Sequence, residues 1–392
     1  MPLFLKAKKM NLFPYFDAVD FSQYVDDVPF AWKYSMGATI EKNTVKLQEG
    51  RLKNIELAIV GVPFNSKHDD FKRTATPDKL RKAFYGLAGV GKLNIIDLGN
   101  LKASTSHKGN YLALRDVVDY LSELDIVTIV FGGSQDYSYG ICQAFQSNPF
   151  FSFSTIDAFL DVKKGVESLS STNYLSQVFK ALPDLFQFNL LAYQSHYVPD
   201  VYFEKTKGIG VHLRLGKLRD NIADAEPVLR NSDFLTFDMA ALKSSEAPNS
   251  LNLPNGLYAD EACQLMKYAG ASNRLKVFGL FGLNIGEEPG ELSLNLAAQL
   301  VWYFVQGYLI RDRREPEQGD GFSVYSVEIP ELPAPLVFYK NDTTGQWWVQ
   351  VQAINNETRY FACSEKDYEV ASSNEIPELW LKYVQKTDEI VK

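Results

Sequence analysis

Short apolar runs alternate with longer amphipathic segments from about residue 54 to residue 310 of the chain. The apolar runs are rich in β-branched and aromatic residues and end at glycine, proline or polar residues, which is typical of buried strands. We predict strands within these ranges: 54–64, 93–100, 125–136, 150–161, 207–216, 233–242 and 275–284. Strands that alternate with helices favour an α/β fold, a three-layer αβα arrangement with a mostly parallel sheet between the helices.

The segments between the strands have helical periodicity. Residues 76–87 begin with Thr76, which we predict to be the helix cap, and with Pro77 in the first turn. We also predict helices within 111–124, 258–271 and 296–310. The last of these is strongly apolar but short for a membrane span and contains two glutamines, so we predict a buried helix there.

The two ends of the chain do not continue this alternation. We predict an irregular N-terminal arm over residues 1–53, the αβα domain over 54–310, and a linker with a small C-terminal appendage over 311–392. In the appendage, residues 336–351 predict a hairpin of two strands, and residues 375–386 predict a short helix that Pro377 begins.

The composition narrows the class of protein. A net charge of -8 over 392 residues argues against a partner that is nucleic acid. Three distant cysteines form neither a zinc pattern nor a disulfide framework, which favours a reducing compartment. With no signal-peptide pattern and no membrane span in the sequence, we expect a cytoplasmic protein without membrane partners.

Acidic and amide side chains follow several predicted strands: Gln135, Asp157, Asp161 and Asp238. Because ligands bind at the carboxyl ends of parallel strands, we expect these four side chains to share one crevice. A lone pair of acids four residues apart is most often only a solvated pair. Because Gln135 and Asp238 lie at corresponding strand ends, a shared site is favoured over a solvated pair. The acids could also serve only as helix caps or hydrogen-bond acceptors.

Motifs at these strand ends resemble those of the ureohydrolase family, which comprises arginase, agmatinase and formimidoylglutamase. The matching segments are GVPF (61–64), GGSQ (132–135), DAFLD (157–161), STNYLS (171–176), TFDMA (236–240), PNGLYADEACQLMKYAG (254–270) and GLNI (282–285). Their order and spacing agree over roughly residues 54–310, which implies an arginase-like fold. Within this family, the N-terminal arm and the C-terminal tail make formimidoylglutamase the nearest resemblance.

The resemblance also implies two manganese ions held by six ligands. The six positions fall here on Gln135, Asp157, Phe159, Asp161, Asp238 and Ala240. Three acids therefore match the family, while both histidines and one acid are replaced. The proton-shuttling histidine of the family falls on Leu175, and the acid that receives the guanidinium group in arginases falls on Gly282.

These departures predict that the site is degenerate and that the paired-metal reaction is lost, so we assign no catalytic residue. The first hypothesis is a non-catalytic binding or scaffold protein. The alternative is a hydrolase of C–N bonds in linear amidines with an altered single-metal site. A third is a sensor of a small guanidino or formimino ligand. The family and the high aromatic content favour a homo-oligomer.

The set Gln135, Asp157, Asp161 and Asp238 offers only oxygen atoms, which suits a hard divalent cation such as magnesium, calcium or manganese. Such a site would be mononuclear and weak. The version without a metal is slightly favoured because Phe159 makes the crevice more apolar. A basic side chain, Lys163 or Arg214, would then neutralise the acids.

Overall fold

The structure is a computed structural model. It describes residues 10–17, 19, 29–43, 52–64, 74–163, 165, 168–204, 206, 208–248, 251–283, 290–316 and 319–391. Much of the predicted N-terminal arm (1–9, 18, 20–28 and 44–51) and residues 284–285 of the GLNI motif lie outside the described residues.

The strands are β1 (Phe16–Asp17), β2 (Glu41–Lys42), β3 (Leu57–Gly61), β4 (Ile95–Leu101), β5 (Val127–Phe131), β6 (Ser152–Ile156), β7 (Gln187–Tyr193), β8 (His212–Arg214), β9 (Phe234–Asp238), β10 (Val277–Phe281), β11 (Phe322–Val327), β12 (Leu336–Asn341), β13 (Trp347–Gln352) and β14 (Thr358–Cys363). The helices are α1 (Met36–Thr39), α2 (Thr76–Tyr85), α3 (His107–Glu123), α4 (Tyr137–Ala144), α5 (Tyr174–Ala181), α6 (Asp200–Phe203), α7 (Leu215–Asp220), α8 (Ala225–Arg230), α9 (Ala259–Gly270), α10 (Glu291–Leu309), α11 (Glu365–Ser372) and α12 (Glu378–Val391).

Within the described residues, ten strands form the central sheet in the order β1-β4-β3-β5-β10-β9-β6-β7-β8, with β2 also paired to β4. Only β1 runs antiparallel to its neighbour among these pairs. The predicted mostly parallel sheet is therefore confirmed. The predicted strand within 207–216 shortens to the three residues of β8, and β7 is a strand that the sequence patterns missed.

Each side of the sheet carries its own hydrophobic core, which confirms the three-layer arrangement. Along β3, Leu57 and Ile59 belong to one core and Ala58 and Val60 to the other, because successive side chains of a strand point to opposite faces. Helices α2, α9 and α10 contribute to the first core, and α3, α4 and α5 to the second.

Helix α10 contains the predicted apolar helix and packs mostly buried against α9 and α2. None of the helices in the described ranges combines the length and apolarity that a bilayer span requires.

The prediction that Thr76 caps α2 is wrong by one residue. Ala75 holds the cap position, and the backbone N–H of Lys79 donates to the carbonyl oxygen of Ala75 at 2.9 Å, which closes the first turn there. Thr76 is thus the first helical residue and is buried, while Pro77 lies in the first turn as predicted.

The C-terminal appendage is larger than the predicted hairpin and helix. Strands β11 to β14 form a four-stranded antiparallel sheet, and the predicted hairpin is its central pair, β12 and β13. Side chains from α11 and α12 join the core of this sheet on one face. The terminal helix begins directly after Pro377, as predicted, and continues to Val391.

Two adjacent residues at the end of α8 hold this sheet on the central domain. The side chain of Asn231 accepts from the backbone N–H of Ala362 and donates to the carbonyl oxygen of the same residue, both at 2.8 Å. The guanidinium group of Arg230 lies 4.5 Å from the ring centre of Trp348 and donates to the carbonyl oxygen of Trp347 at 2.9 Å. The edge of the sheet at β14 is therefore closed by the central domain.

Candidate functional site

The four predicted site residues lie at the carboxyl ends of three strands in the middle of the central sheet. Gln135 follows β5, Asp157 and Asp161 follow β6, and Asp238 ends β9. Strands β6 and β9 pair in parallel with Ile156 opposite Phe237, so Asp157 and Asp238 stand at the same level. The structure thus brings these side chains together, as the strand-end pattern predicts.

The polar groups of this cluster lie close enough to act on one another. The side chains of Asp161 and Gln135 both act on the pKa of Asp157, and Asp161 in turn faces the charge of Asp238. Asp157 Oδ1 accepts from the backbone N–H of Phe159 at 3.0 Å, and Asp238 Oδ1 accepts from that of Ala240 at 2.7 Å. Each of these two acids therefore also serves as a local acceptor, which the sequence left open as the simpler role.

Burial makes the ionised forms of these acids costly. The pKa of Asp157, which is 2% exposed, is raised well above its usual value by burial and then by the charge of Asp161. The pKa of Asp161 is raised by burial and then by the charge of Asp238. Carboxylates that lie side by side away from water repel each other when all are ionised. The cluster therefore favours either a retained proton or a bound cation.

The two predicted neutralising side chains lie in different places. Lys163 is exposed, and its positive charge acts to lower the pKa of Asp161. Arg214 is exposed on β8, where it pairs in register with Tyr193 and acts to lower the pKa of that phenol. Of the two, Lys163 is the cation that lies near the acids.

The positions that would serve a second metal ion are part of an apolar cluster. The ring of Phe159 stacks on the ring of Tyr197 with centres 4.9 Å apart, and both pack against Ala240, Ala158 and Leu253. Carbon side chains cannot ligate a cation. Over the described ranges, no group of three or more histidine, cysteine, aspartate or glutamate residues is arranged to hold a metal. Phe159 and Ala240 therefore do not fit the two-ion centre that the resemblance implies.

Two buried hydroxyl groups behind the acids were missed in the sequence. Thr155 Oγ1 accepts from Gln135 Nε2 at 3.3 Å and from the hydroxyl of Tyr174 at 3.4 Å. The pKa of Tyr174 is raised by its burial and then by the charges of Asp161 and Asp157. Thr155 could have been found, since it lies two residues before Asp157 on the same strand face. The sequence does not indicate a role for Tyr174, because no strand-end motif determines which face of α5 points toward the acids.

Leu175, which follows Tyr174 in α5, lies at the position that the resemblance assigns to the family's proton-shuttling histidine. Leu175 is buried in a hydrophobic core, and its backbone N–H donates to the carbonyl oxygen of Asp161 at 3.2 Å. Its side chain carries no proton to transfer, so this position contributes packing alone.

Gly282 follows β10 and lies directly against the cluster. Its φ angle is +76°, and a Cβ atom added there would collide with the carboxyl group of Asp238. Both the backbone conformation and the space thus require glycine. An acid at this position, as in arginases, would have to displace Asp238.

We expect Gly282→Ala to lower the free energy of unfolding by about 1–3 kcal/mol, because it combines backbone strain with displacement of Asp238. Urea denaturation measures this. Gly216→Ala on α7 is the matched control, since a Cβ there meets nothing within 4 Å, and it should be neutral or stabilising. Equal stabilities of the two variants would contradict the constraint at Gly282.

The raised pKa values also predict a pH dependence. A carboxyl whose folded-state pKa is raised stabilises the fold below its unfolded pKa, and this contribution is lost as pH rises through the folded-state pKa. With chelator present, Asp161→Asn should therefore become increasingly more stable than the wild type from pH 4 toward pH 8. Thermal unfolding across this range measures the difference, with the exposed Asp220→Asn as control. A constant difference between wild type and Asp161→Asn would contradict the interpretation.

Comparison with known proteins identifies a family and a fold that match this chain. A family model described as the arginase family matches residues 55–306. A formiminoglutamase of Trypanosoma cruzi with Mn2+2 is 21% identical, with a TM-score of 0.60 over 66% of this chain and 95% of that chain. The formimidoylglutamase from Bacillus subtilis is 17% identical, with a TM-score of 0.61 over 75% and 96% of the two chains.

The agmatine ureohydrolase of Thermoplasma volcanium shares the fold at 18% identity, with a TM-score of 0.53 over 66% of this chain and 91% of that chain. Curated protein sequences give no match. The solved structures agree with the arginase-like fold that the motifs predict, and the family model covers more than half of the sequence. The chain belongs to the arginase family.

Proposed function

We propose that this chain is a non-catalytic arginase-family protein that acts in binding or as a scaffold and does not run the paired-metal reaction. The observation that carries the proposal is the apolar cluster around Phe159 and Ala240, at the positions where a second ion would need its own ligands.

The chemistry of hydrolysis by two metals supports the same conclusion. Two ions about 3.5–4 Å apart generate and orient the attacking hydroxide, and each must be held by several ligands. Here the second ion would keep only acids shared with the first. The buried Leu175 leaves no group for proton transfer at the position that the resemblance assigns to that role.

A small guanidino or formimino compound is the ligand that we propose for the remaining site. Such cations are flat, and carboxylates hold them by charge-assisted hydrogen bonds. The stacked rings of Phe159 and Tyr197 add an apolar wall that a delocalised cation can contact. A bound cation would also offset the repulsion among Asp157, Asp161 and Asp238.

The second candidate function is hydrolysis of C–N bonds in linear amidines with one metal ion. The convergence of the three acids and Gln135 favours it. Their oxygen atoms could hold one magnesium, calcium or manganese ion, and Gln135 in place of histidine would weaken a transition metal.

We further propose that the protein is a homo-oligomer of the cytoplasm. All three cysteines are buried and unpaired, which agrees with a reducing compartment. The aromatic content is compatible with a buried interface between copies.

We expect no manganese-dependent release of urea, ammonia or formamide when the purified protein meets arginine, agmatine or formiminoglutamate. The reason is the absence of second-ion ligands and of a proton shuttle at the family positions. A coupled assay for each product measures this, and Asp238→Ala reports background from contaminants. Turnover at enzyme-like rates that Asp238→Ala abolishes would overturn the proposal in favour of the single-metal hydrolase.

A further inference from the structure

We propose that β11 is a self-pairing edge, at which two copies of the chain join their C-terminal sheets into one antiparallel eight-stranded sheet. This gives the proposed homo-oligomer a definite contact. It does not depend on the ligand or the chemistry of the acidic cluster.

The two edge strands of the C-terminal sheet, β14 and β11, differ in the hydrogen bonding of their outer sides. At β14, the side chains of Asn231 and Arg230 bond the backbone of Ala362 and Cys363, which closes that edge against the central domain. At β11, backbone hydrogen bonds run to β12 along Phe322–Val327, and in the described part of the chain no other backbone hydrogen bond reaches these six residues. An antiparallel end strand directs alternate N–H and C=O groups outward, ready to pair with a further strand.

The sequence of β11 lacks the devices that normally protect such an edge. The strand reads FSVYSV, with no charged residue and no proline, and its register with β12 is regular without a bulge. Val324 is 57% exposed, and Ser326 is exposed on the same face. The edge thus offers both free backbone groups and an apolar side chain.

A second copy fits this edge in one particular register. A two-fold axis through Val324 would set Asp320 of each copy opposite Glu328 of the other, which is repulsive. An axis through Tyr325 instead sets Asp320 opposite Pro330, Glu328 opposite Phe322, and Val324 opposite Ser326. The rings of Tyr325 from the two copies then meet beside Trp347 and Tyr368, which already contact Tyr325 within each copy.

The experiment compares particle mass in solution by sedimentation for the full-length wild type, Val324→Lys and Ile354→Lys. Ile354 is the matched control, because it is 63% exposed but lies in the loop that joins β13 and β14 and not in an edge strand. We expect Val324→Lys to halve the particle mass of the wild type and Ile354→Lys to leave it unchanged. An unchanged mass for Val324→Lys would overturn this contact even if the protein is an oligomer through another surface. A monomeric wild type at tens of micromolar would overturn both ideas.

A disulfide trap tests the register. The native cysteines are all buried, so introduced cysteines would be the exposed ones. Under mild oxidation, Val324→Cys combined with Ser326→Cys should give an interchain dimer on a non-reducing gel in far higher yield than Val324→Cys alone. Equal yields, or no dimer from the double variant, would overturn pairing around Tyr325.

Discussion

Three acids that repel one another lie at the carboxyl ends of two neighbouring strands of the central sheet. The parallel pairing of β6 and β9 fixes Asp157 and Asp238 at the same level, and the turn after β6 adds Asp161. The strands are buried on both faces, which fixes the backbone at Asp157 and Asp238. A buried group of like charges requires a proton or a counter-cation, and every functional possibility for this crevice follows from that requirement.

The residues around the three acids determine how their charge can be balanced. On one side, Thr155, Tyr174 and Gln135 are hydrogen-bonded to one another, and Gln135 acts on the pKa of Asp157. On the other side, Phe159 packs against Ala158, Ala240 and Leu253, and none of these side chains can ligate a metal ion. Gly282 allows Asp238 its present position and excludes a further acid. Together these contacts favour one charge-balancing partner, whether proton, hard cation or organic cation, over a pair of metal ions.

The strands of the central sheet could be predicted because a doubly buried strand is a continuous apolar run, and the acids could be placed because they follow such runs. β7 was missed because its run begins with polar residues, Gln187 and Asn189. The C-terminal sheet was underestimated because β11 is short, contains two serines without strict alternation, and directly follows a charged stretch. Choosing between Lys163 and Arg214 as the neutralising side chain requires the paths of the loops. Placing Tyr174 near the acids requires the orientation of helix α5. A local sequence pattern encodes neither of these.

The metal content of the protein tests the central claim most directly. The protein would be purified after growth with manganese, analysed for bound elements, and titrated with manganese, magnesium and calcium by calorimetry beside Asp161→Asn. We predict at most one weakly held divalent cation per chain, with any binding lost in Asp161→Asn. Two tightly held manganese ions per chain would contradict it.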